Sequence, residues 1–360
     1  MAFLTEYLGI PIGLQGLERR SRGIRERKVT KMTTKKDLFL ITGATGNTGA
    51  HTVRLLRERG LRVRAFVHAR DDRTDRLAEQ GAEVVEGDLL NFHSISAATA
   101  GVTAAYFNYP IRPGLIEATA NFAQAASEAG VHAVVNMSQI SARREATSNA
   151  ARQHWIAERL LDRTALVTAH LRPTFFMEWL NGFFVRRGSE GIYRLPLANV
   201  RHAPIAAADQ ARVIAAILQN PDPHDREIYP LFGADELDWH GIATKVQDTL
   251  DIPVRYEPIE ISTFAAGLTA AGGSPHLVQH LSNVAQDYRD GVFSGMNNLV
   301  EVIGGTKPVT VEEHVDTTRA KFDTDGPFGI TDAPRDKRSV TTPAAGPKSR
   351  SAVFGGYPIQ

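Results

Sequence analysis

The sequence has no cysteine among its 360 residues. That absence excludes disulfide scaffolds, thiolate zinc sites, iron–sulfur clusters and a cysteine nucleophile. It also lacks any run of about 18 apolar residues, so nothing in it is expected to span a membrane. A dominant charge is missing too, with 41 Lys and Arg against 40 Asp and Glu. The near-neutral sum conceals a split. Residues 1–36 carry nine bases and three acids, whereas residues 37–322 carry 27 bases and 33 acids. An acidic body offers no basic stripe to a phosphate backbone, so no nucleic-acid partner is expected. What is present, 42% apolar and 22% charged residues, fits a soluble globular protein with one large or two modest domains.

The ends differ from the middle. Residues 1–36 form a basic arm without a sustained apolar period, closing in a basic run from Arg19 to Lys36. Glu6, Glu18 and Glu26 argue against a transit peptide, and no apolar signal core is present, so the expected location is cytoplasmic. The arm reads as either disordered or untranslated, with Met32 as the start. From Thr324 the chain has five Gly and five Pro in 37 residues, and residues 323–360 read as a disordered tail. Between the ends, short apolar runs alternate with helical patterns. Strands are expected at 38–42, 62–67, 83–86, 104–108, 133–137 and 165–171, with helices between them, notably 48–59 and 115–129. Such alternation specifies an α/β fold, a doubly wound parallel sheet covered on both faces. Residues 37–173 are assigned mainly to that sheet. Residues 174–322 are assigned mainly to a small, mostly helical C-terminal lobe with short strands at 227–231 and 253–256.

Strand 38–42 runs directly into Gly43-Ala44-Thr45-Gly46-Asn47-Thr48-Gly49 and then a helix. Gly43 lets the chain turn sharply, Gly46 lets backbone approach a pyrophosphate, and Gly49 lets the helix pack closely. Asn47 is the expected N-cap, and Thr45, Asn47 and Thr48 border the phosphates. No Gly-Lys-Ser/Thr follows, which excludes a Walker loop. At the end of the 62–67 strand stand His68 and Arg70, followed by Asp71, Asp72 and Arg73. His68 and Arg70 suit a 2′-phosphate, so NADP(H) is favoured over NAD(H), although the two Asp pull the other way. Asp88 and Leu89 are placed to bound an adenine pocket, and Asp88 is equally placed to cap the next helix. Asn108, Tyr109 and Pro110 fall where such folds bring backbone beside the cofactor, with Tyr109 a candidate stacking group.

ITGATGNTG, the VVEGDL turn and the HLRPTFFME segment together resemble the NmrA-like family, atypical extended members of the short-chain dehydrogenase/reductase superfamily. The likeness runs from about Leu38 to about Phe322. It implies a Rossmann-type sheet binding NAD(P), usually NADP(H), with a C-terminal lobe closing over a cleft. Members include NADPH-dependent reductases of quinones, azo dyes and imine-like metabolites, and non-catalytic redox sensors that bind the dinucleotide and a protein partner.

The superfamily's catalytic set is a Ser followed by Tyr-x-x-x-Lys. Ser138 matches the serine, but the Tyr and Lys positions fall at Ala150 and His154. No Tyr lies between Tyr109 and Tyr193, and no Lys between Lys36 and Lys245. The ordinary proton relay is therefore absent. His154 is the candidate in its place, as a ribose-holding or packing residue or as an imidazolium that donates a proton. Ser138 is a candidate for orienting a carbonyl. Phe175, Phe176, Met177, Trp179, Phe183 and Phe184 are expected at helical spacing, mostly as core. In the family this segment borders the substrate cleft, which makes Phe175, Phe176 and Trp179 pocket candidates. His276 and His280 stand four apart but lack a third ligand, and Glu312, Glu313, His314 and Asp316 read as a charged helix face. No metal is expected. The favoured function is a reductase delivering hydride from NADP(H) to a small apolar quinone, azo, imine or carbonyl acceptor, because good electron acceptors need little acid catalysis. The alternative is an NADP(H) sensor acting through a protein partner.

Overall fold

The computed structural model describes residues 36–326 and 328–329; all but Lys36 of the basic arm, and the chain beyond Gly329, lie outside them. The first half alternates strand and helix in chain order: β1 (Leu38–Thr42), α1 (Asn47–Glu58), β2 (Arg62–Val67), α2 (Asp72–Glu79), β3 (Glu83–Glu86), α3 (Phe92–Thr99), β4 (Ala104–Phe107), α4 (Leu115–Glu128), β5 (Ala133–Met137), α5 (Asn149–Leu161) and β6 (Val167–Pro173). β1 is buried along its whole length, as an apolar strand covered on both faces must be. Its side chains alternate by the pleat. Phe39 and Ile41 join one core with Val53 and Leu56 of α1, whereas Leu38 and Leu40 join the opposite core with Ile95, Phe122 and Leu161 of α3, α4 and α5.

The second half continues with α6 (Trp179–Phe183), β7 (Phe184–Arg187), β8 (Glu190–Leu195), α7 (Ala207–Gln219), β9 (Glu227–Leu231), α8 (Trp239–Leu250), β10 (Val254–Pro258), α9 (Ile261–Ala270), α10 (Pro275–Arg289), α11 (Leu299–Gly304) and α12 (Val311–Thr317). The main sheet has seven parallel strands in the order β3-β2-β1-β4-β5-β6-β9. A second sheet, β10-β8-β7, pairs β8 parallel to β10 and antiparallel to β7. No helix among the described residues is long and apolar enough to cross a membrane.

Three expectations change. The strand expected at 227–231, β9, belongs to the main sheet rather than to the lobe, and α7 and α11 pack on the α1 face through Val213, Ile214 and Val300. The lobe also holds a β-hairpin, closed by Gly188 at φ +59°, where Gly-Ser between two strands forms a two-residue turn. The expected boundary at residue 322 falls short. Gly326 N–H donates to Phe184 C=O at 2.7 Å, Phe328 N–H donates to Gly182 C=O at 2.9 Å, and the Phe328 ring is buried in the lobe core.

Candidate functional site

The glycine loop is built as a cradle. Gly43 sits at φ +58°, and Gly46 N–H closes the turn onto Gly43 C=O at 2.9 Å. A Cβ on Gly49 would lie 2.2 Å from Gly43 O, so only glycine lets α1 start this close to the loop. The first bond of α1 is Ala50 N–H to Gly46 C=O at 2.8 Å. The N–H groups of Asn47, Thr48 and Gly49 therefore precede the helical ladder and face outward with the dipole, an anion-binding arrangement. Two details differ from expectation. Gly46 is the N-cap and Asn47 the first helical residue. Thr48 is buried, its hydroxyl donating to Gln210 Oε1 of α7 at 3.4 Å, so only its backbone N–H is open to an anion at the loop. Thr45 and Asn47 are half-buried at the loop rim.

At the end of β2, His68 and Arg70 are exposed. Arg70 holds its guanidinium at the strand ends, Nη2 donating to Val84 C=O at 3.1 Å and Nε lying 4.0 Å from Glu86 Oε2. Asp71 is consumed locally. It caps α2 by accepting from the N–H groups of Arg73 and Thr74, and it pairs with the Arg73 guanidinium at 2.6 Å. Asp88 folds an Asx turn onto Leu90 N–H at 2.9 Å, Leu89 is buried, and the cap of α3 is Asn91 rather than Asp88. Asn108 is locked to Thr42 by two hydrogen bonds, and its amide abuts Gly43. Tyr109 is no free stacking group: its hydroxyl donates to Pro113 C=O at 2.9 Å, and Arg112 lies 5.2 Å from its ring centroid. Pro110 is half-buried beside it.

Asn108 also lines a cleft of about 850 Å³ counting the open solvent at its mouth, bordered by Ser138, His154, Phe175, Phe176, Trp179 and residues of α9 and α10. The structure thus brings the serine, the histidine and the three aromatic candidates around one cavity, which Asn108 links to the glycine loop at Gly43. None of the lining side chains is Asp, Glu, Lys or Arg. Phe175 and Phe176 are not the helical residues expected from their spacing: Phe175 lies at a bend and Phe176 in a β-bridge. Phe176 bridges Ile205, and only Trp179 begins α6. Met177, Phe183 and Phe184 fill the lobe core.

His154 is buried, with Nδ1 sealed and unpartnered. Burial lowers its pKa to about 4, against a smaller opposing pull from Glu158, so the imidazole is neutral near pH 7 and the expected imidazolium is not its resting form. Ser138 donates its hydroxyl proton to Glu158 Oε1 at 2.6 Å. Glu158, fully buried one turn after His154 on α5, receives both arms of Arg172 at 2.8 and 2.6 Å. Sequence reasoning missed this carboxylate, yet the signal was there: a charge at an apolar-face position of α5. His280, which sequence spacing left without a third metal ligand, is buried at the cleft wall. His314 is likewise buried, bonded to Asn181 Oδ1 at 3.0 Å, while Glu312 pairs with Lys245 and Glu313 accepts from the N–H of Thr310, the N-cap of α12. No cluster among the described residues could hold a metal.

Against this geometry, comparisons with known proteins agree on one kinship. The model of the NmrA-like family matches residues 35–314. A curated relative, an NAD(P)H azoreductase of Xenophilus azovorans, is 26% identical over 288 residues, covering 79% of this chain and 99% of its own length. Among solved structures, an NADPH-dependent quinone oxidoreductase of Escherichia coli in complex with NADPH superposes with a TM-score of 0.67 at 21% identity, covering 78% of this chain and 99% of that one. NmrA, a negative transcriptional regulator in complex with NAD, gives 0.67 at 14% identity, covering 79% and 95%.

Proposed function

The chain belongs to the NmrA-like family, and on that premise we propose that it is an NAD(P)H-dependent reductase of small, flat, uncharged acceptors such as quinones, neutral azo compounds, imines or aromatic carbonyls. One observation carries the reading: an aromatic cleft free of charged side chains meets the glycine loop at Asn108. When bound, the reduced nicotinamide supplies hydride. The loop N–H groups of residues 47–49 would hold the pyrophosphate, and Asp88 and Leu89 would bound the adenine. His68 and Arg70, left exposed while Asp71 caps α2, favour a 2′-phosphate and hence NADP(H).

The protein's part in the chemistry follows from the state of its polar groups. Ser138 has spent its proton on Glu158 and presents lone pairs. Neutral His154 stabilises developing negative charge as an N–H donor rather than by giving up its proton. The proton that completes reduction then comes from water, which suits acceptors whose reduced anion is delocalised. The same relatives that support the reading confine it: the azoreductase and the quinone oxidoreductase bear those names for their own substrates.

Purified protein should oxidise NADPH in the presence of neutral quinones and azo compounds, and poorly with sulfonated ones. A flat trace across the panel, with dinucleotide binding intact, sinks the enzyme. It would favour the alternative, an NADP(H) sensor acting through a protein partner, which draws on the missing Tyr/Lys couple and the fold shared with the NmrA regulator.

A further inference from the structure

A second imidazole at the cleft has no role in the account above. His280 projects from α10, and its Nδ1 stands 2.8 Å from Ser148 Oγ. Ser148 is the N-cap of α5, the helix that carries His154, and its Oγ already accepts the Ala151 N–H at 3.1 Å. Among the described residues that hydroxyl has one other partner, His280, so its proton goes to Nδ1. An imidazole that accepts at Nδ1 carries its own proton on Nε2. Burial, aided by the neighbouring His154, holds His280 neutral by lowering its pKa to about 3.

We infer that His280 is a substrate-binding residue whose Nε2–H donates a hydrogen bond to the carbonyl oxygen or azo nitrogen of the acceptor, and that Ser148 is the positioning residue that fixes this tautomer. The inference rests on the reading of the cleft as an acceptor site and gives that site its polar complement. Ser138 cannot serve, since its proton is committed to Glu158. Two neutral imidazoles from opposite lobes then face a molecule that must accept hydrogen bonds and carry no ammonium. The junction does not depend on the imidazole for its fold. Gln279, the residue before it, accepts from Asn149 N–H at 3.1 Å and donates to Thr147 C=O at 3.0 Å, while Arg143 pairs with the buried Asp287 on the same helix. His280 variants are therefore expected to fold.

Two measurements test it on the full chain. In protein labelled with ¹⁵N-histidine, NMR should show His280 with bare Nδ1 and protonated Nε2, and Ser148→Ala should shift that signature toward a tautomer mixture. Binding of 2-methyl-1,4-naphthoquinone, followed by tryptophan quenching without dinucleotide, should weaken about five- to tenfold in His280→Phe and be largely restored in His280→Gln, whose amide can donate. A protonated Nδ1 at His280 overturns the proposal. Equal quinone affinity in wild type and His280→Phe overturns it while leaving the acceptor site standing. No quinone binding by the wild type overturns both.

Discussion

Gly43 holds φ +58°, and a Cβ there would stand 2.8 Å from the Asn108 side-chain amide, which would have to move away from the loop. Gly60 also has a positive φ, +73°, but nothing within 4 Å. Both Gly→Ala substitutions incur roughly 1 kcal/mol of left-handed strain. Only Gly43→Ala should cut dinucleotide affinity, by at least about tenfold, because it alone displaces the loop. Calorimetric titration of the pair checks this, and equal affinities would show that the loop does not hold the cofactor. Glu158→Gln tests the buried pair. Losing the carboxylate that faces Arg172 and Ser138 should destabilise by about 3 kcal/mol, the low end for a broken buried pair because Arg172 keeps some solvent access. Chemical denaturation should register it. The two sites also differ in how far the sequence discloses them. Strand, loop and helix of the glycine motif are contiguous, so local rules place them. Glu158 meets Arg172 and Ser138, and His280 meets Ser148, only through the tertiary fold, and local spacing carries no trace of those meetings beyond a charge at a core position.

At the level of elements, β1 to β6 were legible because each is a short apolar run between turn signals, and a strand covered on both faces needs little else. The hairpin of β7 and β8 was not. Its aromatics fall at helix-like intervals, and periodicity alone cannot separate a short apolar strand from a buried helix. Gly188-Ser189 was the discriminating signal. The strap that follows residue 322 was hidden by composition: Gly326, Pro327 and Gly329 resemble a solvated tail, yet Asp325 accepts from Arg186 N–H at 2.7 Å and Phe328 stacks on Trp179 with ring centroids 5.7 Å apart. Since Trp179 also lines the cleft, the strap backs the cleft wall. Phe328→Ala should lower stability by about 3 kcal/mol, and ending the chain after Phe322 should lower it at least as much. Both changes should shift tryptophan emission to the red. A melting temperature and emission spectrum unchanged by the truncation would mean the strap adds nothing to the lobe.

Over the whole molecule, burial sets a pH dependence that no single site reveals. Four histidines are held neutral by desolvation: His154 and His314 at about 4, His202 and His280 at about 3. In the unfolded chain each returns to about 6.5. Below that value the unfolded state binds more protons, so the stability these groups contribute is whole above 6.5 and is lost as pH falls toward 4. Glu178 acts with the opposite sign. Burial raises its pKa to about 7, so its contribution is present below 4.5 and lost as pH rises to 7; Asp209, also raised by burial, has the same sign. Among these five groups, offsetting one histidine with Glu178 leaves three, about 4 kcal/mol per pH unit at roughly 1.4 kcal/mol per proton; His51, His224 and His276, also lowered by burial, act in the same direction. Thermal unfolding should therefore be nearly level from pH 8 to 7 and fall steeply below 6. His202 offers the cleanest control, because it lies outside the cleft lining among Phe175, Trp239 and Tyr288. Replacing it with Met or Phe removes one titrating ring and should flatten the acid limb by up to about 1.4 kcal/mol per pH unit, whatever constant offset the repacking adds. An acid limb of unchanged slope would show that His202 is charged in the folded protein, and that its aromatic box tolerates a cation.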